Sequence, residues 1–226
     1  MFYPNSDSRL TRIAIFIDGG YFHEVSNFYK YVHERRARVS VRGLHDFIRH
    51  EVKIREQVED ESRCQIVESH YFRGRFSASE SAGREKLEGQ ATFDDVLIRE
   101  GVVQHYLPIT KTPDGRARES GIDVWLSLEA FDLAVHKRFD VLALIGCDGD
   151  YVPLMRKLNG IGTRTMTLAW DFEYEYHGKQ RVTRTAQNLI EASTYPVMMT
   201  ARIDARETKK DDERYVRALF LERRDA

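Results

Sequence analysis

Apolar residues fall along the chain in two alternating rhythms. Strand-like runs occupy 12–18 ("RIAIFID"), 64–72 ("CQIVESHYF"), 102–109 ("VVQHYLPI"), 140–146 ("DVLALIG") and 163–170 ("TRTMTLAW"). The first and fourth lack the polar alternation of a half-exposed strand, which suits the middle of a parallel sheet. Helical spacing fills the intervals at 20–34, 40–57, 79–100, 121–137, 151–159 and 184–193. In 40–57, for example, Val41, Leu44, Phe47, Ile48 and Val52 form one stripe. Gly101 reads as a C-terminal cap. Alternating β and α elements predict an α/β fold, a three-layer α/β/α sandwich around a central, mainly parallel sheet.

Two segments stand apart from this alternation. Residues 170–177, "WDFEYEYH", alternate aromatic and polar positions with period two. An extended segment with one aromatic face follows, read as an edge hairpin or dimer contact in preference to a platform for stacking bases. From 199 to 226 the chain becomes highly charged, with Tyr215, Val216, Leu219 and Phe220 on one stripe. The expected organisation is a domain over 12–198 and a helical extension over 199–226, docked on its own domain or on a partner.

Composition narrows the function classes. With 226 residues, 42% hydrophobic and 31% charged, the chain can bury a sizeable core as a soluble globular protein. A net charge of −1 provides no global field for nucleic acid, so any basic surface must be local. Two cysteines, Cys64 and Cys147, without a pairing pattern point to a reducing compartment. The start "MFYPNSDSRLTR" lacks the pattern of a signal peptide, and no run approaches the roughly 18 apolar residues of a membrane span. A cytoplasmic location is expected.

The candidate chemistry lies at the strand ends. Asp18 closes the first buried run, and Asp148 and Asp150 follow the fourth. Asp123 opens the helix between them. In open α/β sheets ligands bind beyond the carboxyl ends of the strands. Four carboxylates on that edge would repel one another unless a cation neutralised them, and oxygen donors select hard ions, Mg²⁺ or Mn²⁺. Such a site activates water and stabilises charge on a phosphate during displacement. Each aspartate also has a structural reading: Asp18 as a turn residue, Ser120-x-x-Asp123 as a capping box, and Asp148 or Asp150 as an N-cap ahead of Pro153. A nearby basic wall is available from Arg73 and Arg75 after the second strand and from Lys111, Arg116 and Arg118 after the third. Those cations suit the phosphates of single-stranded RNA. The eight histidines lack zinc spacing. Cys147 beside carboxylates is expected to be a poor nucleophile.

The blocks "IAIFIDGGYF", "ESGIDVWLSLEAF" and "VLALIGCDGDYVPLMRKLNGIGTRT" resemble the signature blocks of NYN-domain proteins of the LabA-like group, within the PIN-like nuclease superfamily. The resemblance spans about 13–195. It implies a PIN-like fold and a divalent-metal-dependent endoribonuclease, with Asp18, Asp123, Asp148 and Asp150 at the family's acidic positions. Three positions depart from that pattern. Tyr21 stands where Asn is common, Gly146 where Ser or Thr is, and Ser120 where Lys is. Tyr21 and Gly146 keep a second reading open, a weak or inactive NYN module that binds RNA or a protein partner. "IFIDGG" and "IGCDGD" also resemble the first and last motifs of haloacid-dehalogenase-type phosphatases. That chemistry needs an acid/base aspartate where this chain has Gly20.

Overall fold

A computed structural model of the chain describes residues 9–76, 84–111, 117–118, 120–176, 179–205 and 210–221. Its first half comprises β1 (Thr11–Asp18), α1 (Gly19–Tyr31), α2 (Val41–Arg55), β2 (Cys64–Arg75), α3 (Arg84–Arg99), β3 (Val103–Pro108) and the two-residue strands β4 (Thr110–Lys111) and β5 (Ala117–Arg118). The second half continues with α4 (Ile122–Lys137), β6 (Val141–Ile145), α5 (Val152–Gly160), β7 (Arg164–Ala169), β8 (Phe172–Tyr176), β9 (Lys179–Thr183), α6 (Gln187–Ala192), β10 (Tyr195–Met198), α7 (Met199–Asp204) and α8 (Lys210–Ala218).

Six strands form one sheet in the order β10-β7-β6-β1-β2-β3, and every pairing within it is parallel. The chain therefore builds outward from β1 to β3 on one side, then returns to build β6, β7 and β10 on the other. The order reverses between β1 and β6, which makes the crevice beyond their carboxyl ends the natural ligand site of this topology.

Both faces of the sheet are covered. Ile13, Ile15 and Ile17 pack into a core with residues of α1, α2, α7 and α8, while Ala14 and Phe16 face a second core built from α4, α5 and α6. That double burial explains why β1 and β6 carry almost no polar residue before Asp18 and Cys147. Gly101 ends α3 in the left-handed conformation, with φ +69°, as its position in the sequence predicts.

The aromatic segment forms an antiparallel hairpin, β8 with β9, outside the main sheet. Phe172 stacks on Phe28 of α1 at 4.2 Å between centroids, and Tyr174 lies 5.6 Å from the same ring. In the charged tail, α8 lies against α2. Val216, Leu219 and Phe220 are buried, the Tyr215 ring stacks on His50 at 3.9 Å, and the Ser40 amide donates to the Leu219 carbonyl at 2.8 Å. The stripe thus docks on its own chain. The helix expected over 184–193 is shorter, and the chain continues through β10 and α7, neither of which the apolar pattern announces.

Candidate active site

Asp18 ends β1 and caps α1. Its Oδ1 accepts from the amides of Gly20 at 2.9 Å and Tyr21 at 3.1 Å, and its Oδ2 accepts from the Tyr151 hydroxyl at 3.0 Å. The neighbouring strand β6 ends at Ile145, and the chain continues through Gly146 and Cys147 to Asp148. The Asp148 Oδ1 accepts from the Asp150 amide at 3.0 Å and caps the short 3₁₀ turn Gly149–Tyr151 that leads into α5. Both aspartates thus act as caps and stand at the switch point at once. Capping engages Oδ1 of each, and Oδ2 of Asp18 is engaged by Tyr151.

Asp123 lies in the first turn of α4, whose N-cap is Gly121, without a side-chain capping bond. The capping box expected from Ser120-x-x-Asp123 does not form. Burial first, then the charges of Asp18 and Asp123, raise the pKa of the Tyr151 phenol well above its ordinary value. Burial likewise pushes the Cys147 thiol up to about 12, with Asp18, Asp148 and Glu24 adding to the effect. Cys147 is therefore held as an inert thiol.

Among the described residues, no three His, Cys, Asp or Glu side chains are grouped to hold one ion. The Tyr151 phenol is bonded to Asp18. The donor set still fits a hydrated hard cation. Mg²⁺ commonly takes one or two carboxylates and fills its remaining positions with water and phosphate oxygens. Among the described residues, Glu24, Asp123, Asp148 and Asp150 also enter no salt bridge, so the edge carries negative charge that a cation would neutralise.

The predicted cations divide. Arg73 follows Phe72, the register partner of Asp18, and its Nη1 donates to the Tyr71 hydroxyl at 3.4 Å. Arg75 is engaged by Asp94 at 2.9 Å and lies over the Tyr106 ring, so its charge is largely offset. Lys111 and Arg118 lie on the β4–β5 ribbon that follows the carboxyl end of β3. Arg116 lies outside the described residues.

Three residues escaped the sequence reading. Tyr151 reads as a core aromatic, and nothing in the spacing links it to Gly146, five residues earlier. Glu24 sits on α1, where its exposed position gave no signal. Asn188 of α6 lies against Gly149, with its amide 3.2 Å from where a Cβ there would stand. The Ala186 amide, which donates to the Cys147 carbonyl at 2.8 Å, brings α6 to this turn.

A family model for the NYN domain matches residues 12–199. The chain belongs to the NYN domain family, whose members fall within the PIN-like superfamily. The family is in general one of nucleases, and its members typically use divalent metals. No curated protein matches the sequence.

Proposed function

We propose that this NYN domain is an endoribonuclease of the LabA-like group that hydrolyses phosphodiester bonds in single-stranded RNA with Mg²⁺ or Mn²⁺. The observation that carries this reading is the emergence of Asp18 and Asp148 from adjacent central strands at the switch point of the sheet. Asp18 and Asp148 would hold the cation, with Asp123 and Asp150 at its margin. Bound there, the ion would supply water activation and neutralise charge developing on the phosphate. Asp18, fixed by three hydrogen bonds, presents a preorganised carboxylate, and exposed Asp148 meets it from the next strand. Arg73 together with Lys111, Arg116 and Arg118 would guide the RNA backbone, because phosphate contacts position a strand without reading its sequence. Arg75, tied to Asp94, would serve the wall of the groove more than the ligand.

The testing experiment is a metal-dependence panel on labelled single-stranded RNA and DNA, with Asp148→Asn as control. Cleavage of RNA that requires Mg²⁺ or Mn²⁺ and vanishes in the variant supports the reading. A second reading, RNA or protein binding without turnover, draws on one observation: Tyr151 already engages Oδ2 of Asp18. Retained RNA binding with no cleavage under any metal would favour it.

A homodimer through α4 completes the proposal. This helix is apolar nearly all round, which is the signature of a covered helix. Yet Val124, Leu128 and Val135 are 58%, 67% and 46% exposed, with Phe131 on the same stripe. The spacing 124, 128, 131, 135 reads the same in both directions. A two-fold antiparallel contact would set Val124 against Val135 of the partner subunit and Leu128 against Phe131 of the partner subunit. It also sets the basic last turn of each helix beside the acidic first turn of the other. The two free cysteines support a reducing, cytoplasmic setting, and among the described residues no helix is long and apolar enough to cross a membrane.

A further inference from the structure

We propose that Tyr151 is a positioning residue for Asp18, and that Gly146 is the vacancy that admits it. The inference rests on the functional reading of Asp18 given above.

Tyr151 is among the largest fully buried side chains and belongs to the core formed with α4, α5 and α6. A Cβ on Gly146 would stand 2.9 Å from its Cε2 and 3.3 Å from its Cδ2. Any side chain at 146 would thus have to displace a ring that has no open space to enter. The residue just after β6 is therefore left bare, and the ring reaches across it from the start of α5. The hydroxyl arrives at Oδ2 of Asp18 at 3.0 Å, while Oδ1 is held by two backbone amides.

With donors on both oxygens, neither torsion of the Asp18 side chain is free. A carboxylate ordered in advance loses less entropy when it takes up a ligand. It also meets the reacting phosphate in one geometry. The backbone amides hold Oδ1, and Tyr151 adds a donor on Oδ2 without adding charge.

The test is Tyr151→Phe, which keeps the ring and deletes one oxygen. Loss of a hydrogen bond to a charged group should lower kcat on single-stranded RNA about ten- to a hundredfold. KM for RNA should stay unchanged, and Mn²⁺ affinity, read by titration calorimetry without RNA, should weaken. Gly146→Ala, which pushes the ring aside, should produce the same two losses. The double variant should be no worse than the weaker single one, because both act on the same carboxylate. Unchanged kcat and Mn²⁺ affinity in Tyr151→Phe, in a wild-type protein that cleaves RNA, would overturn the positioning role and leave the nuclease reading intact. Additive losses in the double variant would overturn the pairing. A wild-type protein that neither cleaves RNA nor binds Mn²⁺ would remove both.

Discussion

The Nδ1 of His70 and the Nε2 of His105 face each other at 2.9 Å across β2 and β3, so a single proton must lie between them. On its other side His70 contacts Glu68, which is also bound by Lys137. The His105 ring stacks on Phe72 at 4.1 Å and meets the edge of Trp125 at 5.0 Å. Burial lowers the pKa of His70, against the upward pull of Glu68 and Glu129 and with a smaller push from Lys137. Burial first, then His70, lowers His105 to about 4.

Acid should therefore loosen the β2–β3 side of the sheet. A histidine depressed in the folded state contributes its full stability above the unfolded value of about 6.5 and loses it as the pH falls toward the folded value. The melting temperature should decline between pH 6.5 and about 4, where the pKa of His105 lies. His105→Gln, which keeps a hydrogen-bonding partner for His70 but cannot titrate, should flatten that decline. An identical pH profile in the variant would show that the pair is not the sensor.

Divalent cations should stabilise the fold. A ligand tenfold above its dissociation constant adds about 1.4 kcal/mol, because it binds only the folded state. For a chain of this size that corresponds to roughly 3–6 °C in melting temperature. Scanning calorimetry with Mn²⁺, Mg²⁺ and a chelator measures it, and Asp148→Asn should abolish the shift. A flat response to Mn²⁺ would count heavily against a cation site at the switch point.

Asp18→Asn should abolish cleavage, by at least about a hundredfold, while the melting temperature stays within a few degrees. Asn caps a helix as well as Asp does, and its amide nitrogen can donate to the Tyr151 oxygen. Removing one charge also relieves repulsion with Asp148 and Glu24. Single-turnover kinetics beside thermal unfolding separates the roles: full activity in this variant would reduce Asp18 to a cap.

Leu128→Glu should dissociate the dimer and leave the fold intact. Leu128 is 67% exposed, and Glu is a good helix former, so the monomer has little to lose. Sedimentation velocity of the two proteins over a range of concentrations provides the comparison. A wild-type chain that stays monomeric at high concentration would end the α4 proposal.

The order of elements was legible because burial leaves a strong imprint. Ile13–Ile17 and Val141–Ile145 are buried throughout, and only a doubly covered strand tolerates such a run. Asp18 and Asp148 could be placed on one edge for the same reason. Their detailed surroundings could not, since nothing in the spacing says that Tyr151 turns its hydroxyl onto Asp18. Gly19 is instructive in the same way. A Gly-Gly pair after an aspartate suggests an open approach for phosphate. A Cβ on Gly19, however, would lie 2.5 Å from Cζ of Tyr71 and 2.8 Å from the Phe72 carbonyl, so its bareness serves packing against β2. Tyr21 is similar: its hydroxyl accepts from the Trp170 amide at 2.8 Å, which ties α1 to the end of β7 across a long sequence separation. The short β10 and α7 carry too few residues to show a period, and tertiary contacts with β7 define them.

The central place of β1 also bears on how the chain reaches its fold. It precedes the other five strands of its sheet and ends in the middle, yet one edge waits for β2 and the other for Val141–Ile145, far downstream. Pairings of such long separation slow folding, because loop closure must precede the contacts that reward it. During synthesis the run Ile13–Ile17 is thus an apolar strand with an unmatched edge, the kind of segment that pairs with the wrong neighbour. Nascent chains stalled before β6 should be the species that aggregates and that holding chaperones bind, and completion of β6 is the step that retires the hazard.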